Sequence, residues 1–409
     1  MDHGIWCGHF LGRALIPRRM ARQSALVTLD RARDLTFQGI GYCLRSGSET
    51  TFLIPAVLRG PMAGCSSKHS NWSKHSNNGF DGAGAGSLPL GETFGELIVK
   101  LGIVGAGKVG CACLLAAVTR GTARQIVLVN RTRKTAEAVV TDIRYGAPLG
   151  RKVDIVDGDY DGLKGAGVVI VTSGINEKSG HATDRNDPEG RLRLLAKNAA
   201  IYRDVVPKVA EAARDAVLLV VTDPPDPLTD LARESAGSAH ILSAGTFLDS
   251  LRFRFHLAKH FGVDAAHIEA QVIGEHGTSE VFLWSSAQVG GVPVEGLFKQ
   301  RGERLEDVRP FLEKAVRYAN ITIIEGNNAS QYGIGIAAVR IAEMVITDER
   351  GVIPIGSFHK KFGVTLSLPS VVGRSGVIKV LEPELSELER QQLEMSADQL
   401  RSALKRVRS

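Results

Sequence analysis

The sequence predicts an α/β fold, a doubly wound parallel sheet followed by an α+β catalytic half, on three observations. Between residues 97 and 245, short apolar runs rich in Val, Ile and Leu alternate with helical periods. A glycine string, Gly105-Ala106-Gly107-Lys108-Val109-Gly110, falls where the first run ends and the first helical period begins. Beyond residue 245 the alternation gives way to longer helical stretches and isolated strand patterns.

In chain order, the first part carries strand patterns at 97–104, 125–129, 168–172, 217–222 and 240–243. Helical periods lie between them at 110–120, 132–145, 191–214 and 227–235. Right-handed crossovers bring the carboxyl ends of such strands to one edge, the usual binding edge of a Rossmann-type sheet. The second part opens with a helix at 246–261, in which Asp249 and Arg252 stand three apart on one face. Strands follow near 270–273 and 369–372, with a long helical stretch at 305–348 between them. An amphipathic helix from about residue 387 closes the chain. Ser386 and Glu389 have capping-box spacing, and Leu388, Leu393, Leu400 and Leu404 are its expected packing face. The domains expected are therefore 97–245 for a dinucleotide and 246–409 for substrate, after an extension at 1–96.

That extension reads differently from the rest. The polar near-repeat Ser67-Lys68-His69-Ser70-Asn71 and Ser73-Lys74-His75-Ser76-Asn77 is low-complexity. Arg13, Arg18, Arg19 and Arg22, with few acids, resemble a transit peptide. A disordered or mis-assigned extension and a cytoplasmic protein are the expectation, organelle targeting the alternative. The whole chain has 409 residues, 44% hydrophobic and 23% charged, with net charge +6. Its basic residues form no stripe interleaved with aromatics, so nucleic acid is not indicated. No apolar stretch approaches the roughly 20 residues of a membrane helix. The five cysteines, Cys7, Cys43, Cys65, Cys111 and Cys113, match no zinc spacing, so no metal is expected and reduced thiols are.

In the glycine string, Gly105 makes a tight turn, Gly107 admits a pyrophosphate and Gly110 lets helix and strand pack closely. The helix N-terminus beyond favours the phosphate charge. Ala106, Lys108 and Val109 complete this cofactor loop. The residue ending the second strand is Asn130, where an acid would mark a free ribose 2′-hydroxyl. Asn130 removes that carboxylate, and Arg131 and Arg133 offer charge-assisted bonds to a 2′-phosphate. The Asn-Arg-Thr string looks like the NADP-binding patch of shikimate dehydrogenases. The cofactor is thus NAD or NADP, with NADP favoured. Farther on, His276 in Gly274-Glu275-His276-Gly277 follows a strand pattern, a setting suited to moving a proton near neutral pH.

From residue 97 to the C-terminus the chain resembles the lactate/malate dehydrogenase family of L-2-hydroxy acid dehydrogenases. The strings that carry the resemblance are GAGKVG, Thr141-Asp142-Ile143 with Gly146-Ala147-Pro148, and Gly245-Thr246-Phe247-Leu248-Asp249 with Arg252-Phe253-Arg254. The fourth is GEHG followed by Trp284-Ser285. The resemblance implies that His276 donates the proton, Asp249 orients it, Arg252 forks onto the substrate carboxylate and Arg191 polarises the carbonyl from a closing lid. Arg185 and Arg193 compete for that last role. Ser330 lies where the family has a small hydroxyl near the substrate. Two positions depart: Asp223 replaces an asparagine that contacts the substrate oxygen, and Glu177 replaces the lid residue that selects the substrate. Glu177 disfavours a second carboxylate, so malate is disfavoured. The lid, 174–191, carries a polar insertion at 181–188 and is similar to that of L-2-hydroxyisocaproate dehydrogenases, which suggests a medium or branched 2-oxo acid. A homodimer or homotetramer acting on a small 2-oxo or 2-hydroxy acid is implied. The alternatives are a catalytically silent binding or structural relative and an NAD-dependent glycosidase. The latter needs a Cys/His metal site in the second domain, yet no cysteine follows Cys113.

Overall fold

The computed structural model describes residues 99–187, 189–238 and 240–408. The extension at 1–96, its near-repeats and Cys7, Cys43 and Cys65 lie outside the described residues. The first half is built from β1 (Lys100–Val104), α1 (Lys108–Arg120), β2 (Gln125–Val129), α2 (Arg133–Gly146), β3 (Asp154–Gly158), β4 (Ala166–Val171), α3 (Leu195–Ala212), β5 (Val217–Val220), α4 (Pro225–Ala236) and β6 (Ile241–Ser243). These six strands are parallel, in the order β3-β2-β1-β4-β5-β6. The order reverses between β1 and β4, which opens a crevice at their carboxyl ends.

Both faces of the sheet are covered, which is why its strands read as continuous apolar runs rather than alternating ones. Val169 and Val171 of β4 with Leu218 and Val220 of β5 face one core, with α3, α4 and the C-terminal helix. Val168, Ile170, Val217 and Leu219 face the other, lined by Leu114 and Ala117 of α1.

The second half continues with α5 (Phe247–Phe261), β7 (Ile268–Glu269), β8 (Val272–Ile273), β9 (Val281–Phe282), β10 (Gln288–Val289), β11 (Val292–Pro293), α6 (Val294–Gln300), α7 (Leu305–Arg317), α8 (Ala319–Asn327) and α9 (Tyr332–Ile346). Then come β12 (Gly351–His359), β13 (Val364–Gly373), β14 (Gly376–Val380) and α10 (Glu387–Arg408). β12 pairs antiparallel with β6, so β12, β13 and β14 extend the parallel sheet to nine strands. A third core joins α5 to β8 and β9 through Phe253, Phe282 and Trp284, whose rings meet edge to face.

Several expectations need correcting. β3 was not expected, because Asp154 and Asp157 interrupt its apolar pattern, as suits an edge strand. The 305–348 stretch is three helices, not one: Tyr318 separates α7 from α8, and Asn328 ends α8 at φ 57°, a left-handed cap. The helix expected at 191–214 begins as a 3₁₀ turn, Gly190–Leu194, and becomes α-helical only at Leu195. On α10, Leu393, Leu400 and Leu404 are buried, but Leu388 is 49% exposed. Its spacing of five to Leu393 takes it off the stripe, and Glu389, four before Leu393, is buried instead.

Candidate active site

The glycine loop is shaped for an anionic ligand. A Cβ at Gly110 would lie 1.8 Å from the Gly105 carbonyl oxygen, so helix and strand meet too closely there for any side chain. A Cβ at Gly107 would meet nothing within 4 Å, which leaves open approach to the N-terminus of α1. Gly105 has φ +111°, a conformation that favours glycine. These residues therefore fit a dinucleotide pyrophosphate. Asn130 at the end of β2 accepts a hydrogen bond from the Ala106 N–H at 3.1 Å and donates to Thr132 O at 3.1 Å. Its amide thus braces the loop. Arg133 is drawn onto Asp157 (3.1 Å) and Asp159 (3.0 Å) of the neighbouring strand end, whereas Arg131 is exposed.

From Gly107, Lys108 and Val109 a cleft of about 340 Å³ runs to Arg191, Asp223, Arg252 and His276. Glu177, Asn320 and Ser330 also line it. His276 is held from three sides. Its Nδ1 is hydrogen-bonded to Asp249 Oδ2, and its Nε2 to Arg191 Nη1. A guanidinium only donates, so Nε2 is the acceptor and the ring proton lies on Nδ1, toward Asp249. The backbone is fixed as well. Gly274 exchanges two 2.9 Å bonds with Ser367 of β13, Glu275 N–H donates to Ser396 Oγ of α10 at 2.8 Å, and His276 N–H donates to Asp226 Oδ2 at 2.7 Å.

Asp249, in the first turn of α5, binds Arg252 Nη1 at 2.8 Å through its other oxygen. Burial alone would raise its carboxyl, but the His276 ring and the Arg252 and Arg191 guanidiniums outweigh burial and hold it well below the usual carboxylate range. Of the competing lid arginines, Arg185 lies on Glu325 (2.5 and 2.8 Å) and Thr322 (3.2 Å) of α8, and Arg193 lies on Asp187 (2.6 Å). Arg191 alone of the three turns inward. It is 8% exposed, with Asp223 3.7 Å away. Asp223 is also 3.7 Å from His276 Nε2. Glu177 lines the same cleft as Asp223; burial and then the Asp223 charge push its carboxyl up.

Three site residues escaped the sequence reading. Asp226, fully buried, holds the His276 backbone and accepts Ser243 Oγ at 2.6 Å. An acid in a helix's first turn ordinarily reads as a dipole partner, which hid this role. Asn198 clamps the lid base to the strand end, accepting from Ile175 N–H (2.8 Å) and donating to Asp223 O (2.6 Å). Glu280, buried behind Asp249, has its carboxyl pushed well up by burial and by that neighbour's charge. No spacing marks either of these two.

Burial pushes Asp226 up to about 7, against the bonds it accepts from His276 and Ser243. Its folded pKa thus exceeds its unfolded one, so its contribution to stability is present below the ordinary Asp value and is lost as pH rises through about 7. Asp226→Asn should therefore flatten the decline in unfolding free energy between about pH 5 and pH 8. Urea denaturation at both pH values measures this, and equal declines in the two proteins would count against it.

A strand-end glycine loop, a parallel sheet with a switch-point crevice, and a histidine held between a carboxylate and a guanidinium define an NAD-dependent oxidoreductase of 2-hydroxy acids. Family comparison agrees along the described chain. The model of the lactate/malate dehydrogenase NAD binding domain matches residues 99–241, and that of the lactate/malate dehydrogenase alpha/beta C-terminal domain matches 246–409. The chain belongs to the lactate/malate dehydrogenase family. It is 45% identical to an L-lactate dehydrogenase of Deinococcus radiodurans over 304 residues, 74% of this chain and 97% of that protein. It is 43% identical to an L-lactate dehydrogenase of Thermus aquaticus over 312 residues, 75% of this chain and 98% of that one. Among solved structures it resembles a lactate dehydrogenase from a Medee basin deep-sea metagenome library, with TM-score 0.70 and 32% identity over 76% of this chain and 99% of that one. Among the described residues no helix is long and apolar enough to cross a membrane, and no cluster of three or more His, Cys, Asp or Glu could hold a metal.

Proposed function

We propose that the chain interconverts a small 2-oxo acid and its L-2-hydroxy acid, with pyruvate and L-lactate the leading pair. The observation that carries this reading is His276 held between Asp249 and Arg191 at the closed end of the cleft. When bound, the nicotinamide supplies the hydride for the carbonyl carbon. His276 Nε2 hands its proton to the forming alkoxide, and Asp249 stabilises the imidazolium beforehand. Arg191, now on Nε2, turns to the carbonyl oxygen when substrate enters between them, and Arg252 takes the carboxylate. Ser330 closes the pocket wall. The sequence span 97–245 serves the dinucleotide and 246–409 the substrate.

The lid insertion supports a small substrate rather than a bulky one. Arg185 carries it outward onto α8, and the lid residues lining the cleft are 174–177 and Arg191. Glu177 still disfavours oxaloacetate through charge. For the cofactor, Arg133 is committed to two acids that would also repel a 2′-phosphate, which favours NAD. Asn130 and the free Arg131 leave NADP a weaker second.

Pyruvate, 2-oxobutyrate, 2-oxoisocaproate and oxaloacetate, each offered with NADH and NADPH, test the reading by loss of reduced-cofactor absorbance. Pyruvate with NADH should give the highest kcat/KM, and oxaloacetate about tenfold less or lower, the cost of one screened like-charge contact. A chain that bound NADH but turned over none of them would be the silent relative. Asn130→Asp should widen the NADH preference, because a carboxylate there repels the 2′-phosphate. An unchanged NADPH-to-NADH ratio would remove Asn130 from cofactor selection.

A further inference from the structure

The last helix of the chain reaches the catalytic loop through a circuit of hydrogen bonds that leaves Glu275 and returns to it. The Glu275 N–H donates to Ser396 Oγ of α10 at 2.8 Å, and Ser396 Oγ lies 3.2 Å from Ser279 Oγ. The Ser279 hydroxyl and its N–H, the latter at 3.1 Å, both donate to Glu275 Oε2. A hydroxyl has one proton, so with that of Ser279 on the carboxylate, Ser396 donates to Ser279. We propose that Glu275, Ser279 and Ser396 act as one positioning unit for His276. This makes α10 a working part of the site although it lies outside the cleft.

Glu275 and Ser396 are 2% and 0% exposed. A carboxyl is buried there only with bonds to hold it, and these run to its own turn and to α10. The glycines flanking the Glu-His pair leave room for the circuit. A Cβ on Gly274 would lie 2.8 Å from Ser396 Oγ, and one on Gly277 would lie 2.6 Å from Glu275 Oε1. Gln399 of α10 adds a second tie, donating to Thr278 Oγ1 at 3.1 Å. The imidazole itself is bonded to Asp249 and Arg191, so Glu275 acts on it through the main chain rather than by passing a proton. The Asp249 bond sets how the ring turns, and the circuit sets where the backbone carries it. A displacement of about 1 Å costs on the order of 10²-fold in rate, and bonds that polarise one another resist it together.

This rests on the reading of His276 as proton donor to a 2-oxo acid. Ser279→Ala, Ser396→Ala and the double variant test it with pyruvate and NADH. Turnover is counted per NADH-binding site, from fluorescence titration, which leaves out molecules that fail to fold. In each single variant kcat per site should fall about tenfold, with KM for pyruvate within about twofold of wild type. The double variant should be no slower than the slower single one, because a circuit opened once is open. Losses that multiply in the double variant, or single variants within about twofold of wild-type kcat, would overturn the proposal. Glu275→Gln keeps an oxygen to accept both Ser279 bonds and should retain most of kcat, whereas Glu275→Ala should match the serine variants. Equal losses in the two would assign the effect to charge and overturn it too. Hydrogen exchange across residues 274–279 is a readout free of turnover: Ser279→Ala should speed exchange of the Glu275 N–H as Ser396→Ala does. Unchanged exchange in Ser279→Ala would show that no circuit exists. A wild type without turnover but with this exchange pattern would instead sink the 2-hydroxy acid reading and leave the circuit standing.

Discussion

His276→Gln should bind NADH as the wild type does and turn over 2-oxo acid about 10²- to 10⁴-fold more slowly, the usual contribution of a positioned acid–base group. Glutamine can reach toward Asp249 with its amide, so the loop need not collapse. It cannot carry a proton to an alkoxide at neutral pH. The backbone anchors also survive, because the Gly274–Ser367, Glu275–Ser396 and His276–Asp226 bonds are made by main-chain groups. Fluorescence titration with NADH and steady-state turnover measure the two halves of this expectation. Turnover within a few-fold of wild type would remove His276 from the chemistry.

Arg252→Gln should cost substrate binding rather than cofactor binding. Arg252 is mostly buried, with a side-chain exposure of 13%, and it faces the cleft. Truncating one member of a buried, hydrogen-bonded charge pair costs about 3–5 kcal/mol, so kcat/KM should drop roughly 10²- to 10⁴-fold, mostly through KM. Arg252→Lys should recover only part of this, because an ammonium cannot offer two parallel donors to a carboxylate. The loss of Arg252 also takes one cation from Asp249, leaving His276 and Arg191 to hold it ionised. A wild-type KM in Arg252→Gln would mean that another cation receives the substrate carboxylate.

The parts of this molecule legible in the sequence are those where chemistry and spacing coincide. The glycine loop reads directly because Gly105 and Gly110 each meet a steric demand that another residue fails. Asp249 and Arg252 read because three residues along a helix bring side chains together. What depends on distant pairing did not read. Asp226 reaches His276 across fifty residues and Asn198 ties Ile175 to Asp223, with no local pattern to announce either contact. Which of Arg185, Arg191 and Arg193 turns toward the cleft likewise depends on where Glu325 and Asp187 lie. β12 escaped because buried sheet extension, not alternation, governs its composition, and β14 because it is a short edge strand with most of its residues partly or fully exposed. The long helix was over-read for a related reason: the breaks at Tyr318 and Asn328 fall between segments that share helical periodicity.

The pairing of β12 with β6 also determines what can move. Enzymes that enclose substrate between two lobes rely on a flexible joint, and here the ladder of strands runs unbroken from one half into the other. A swing of one half against the other would have to tear backbone bonds out of the middle of the sheet. Enclosure must therefore be a small-scale event, carried by the segment between β4 and α3 and by its Arg185–Glu325 footing on α8. The frame is built like a rigid jaw with a moving tooth, and the histidine sits in the part that stays still.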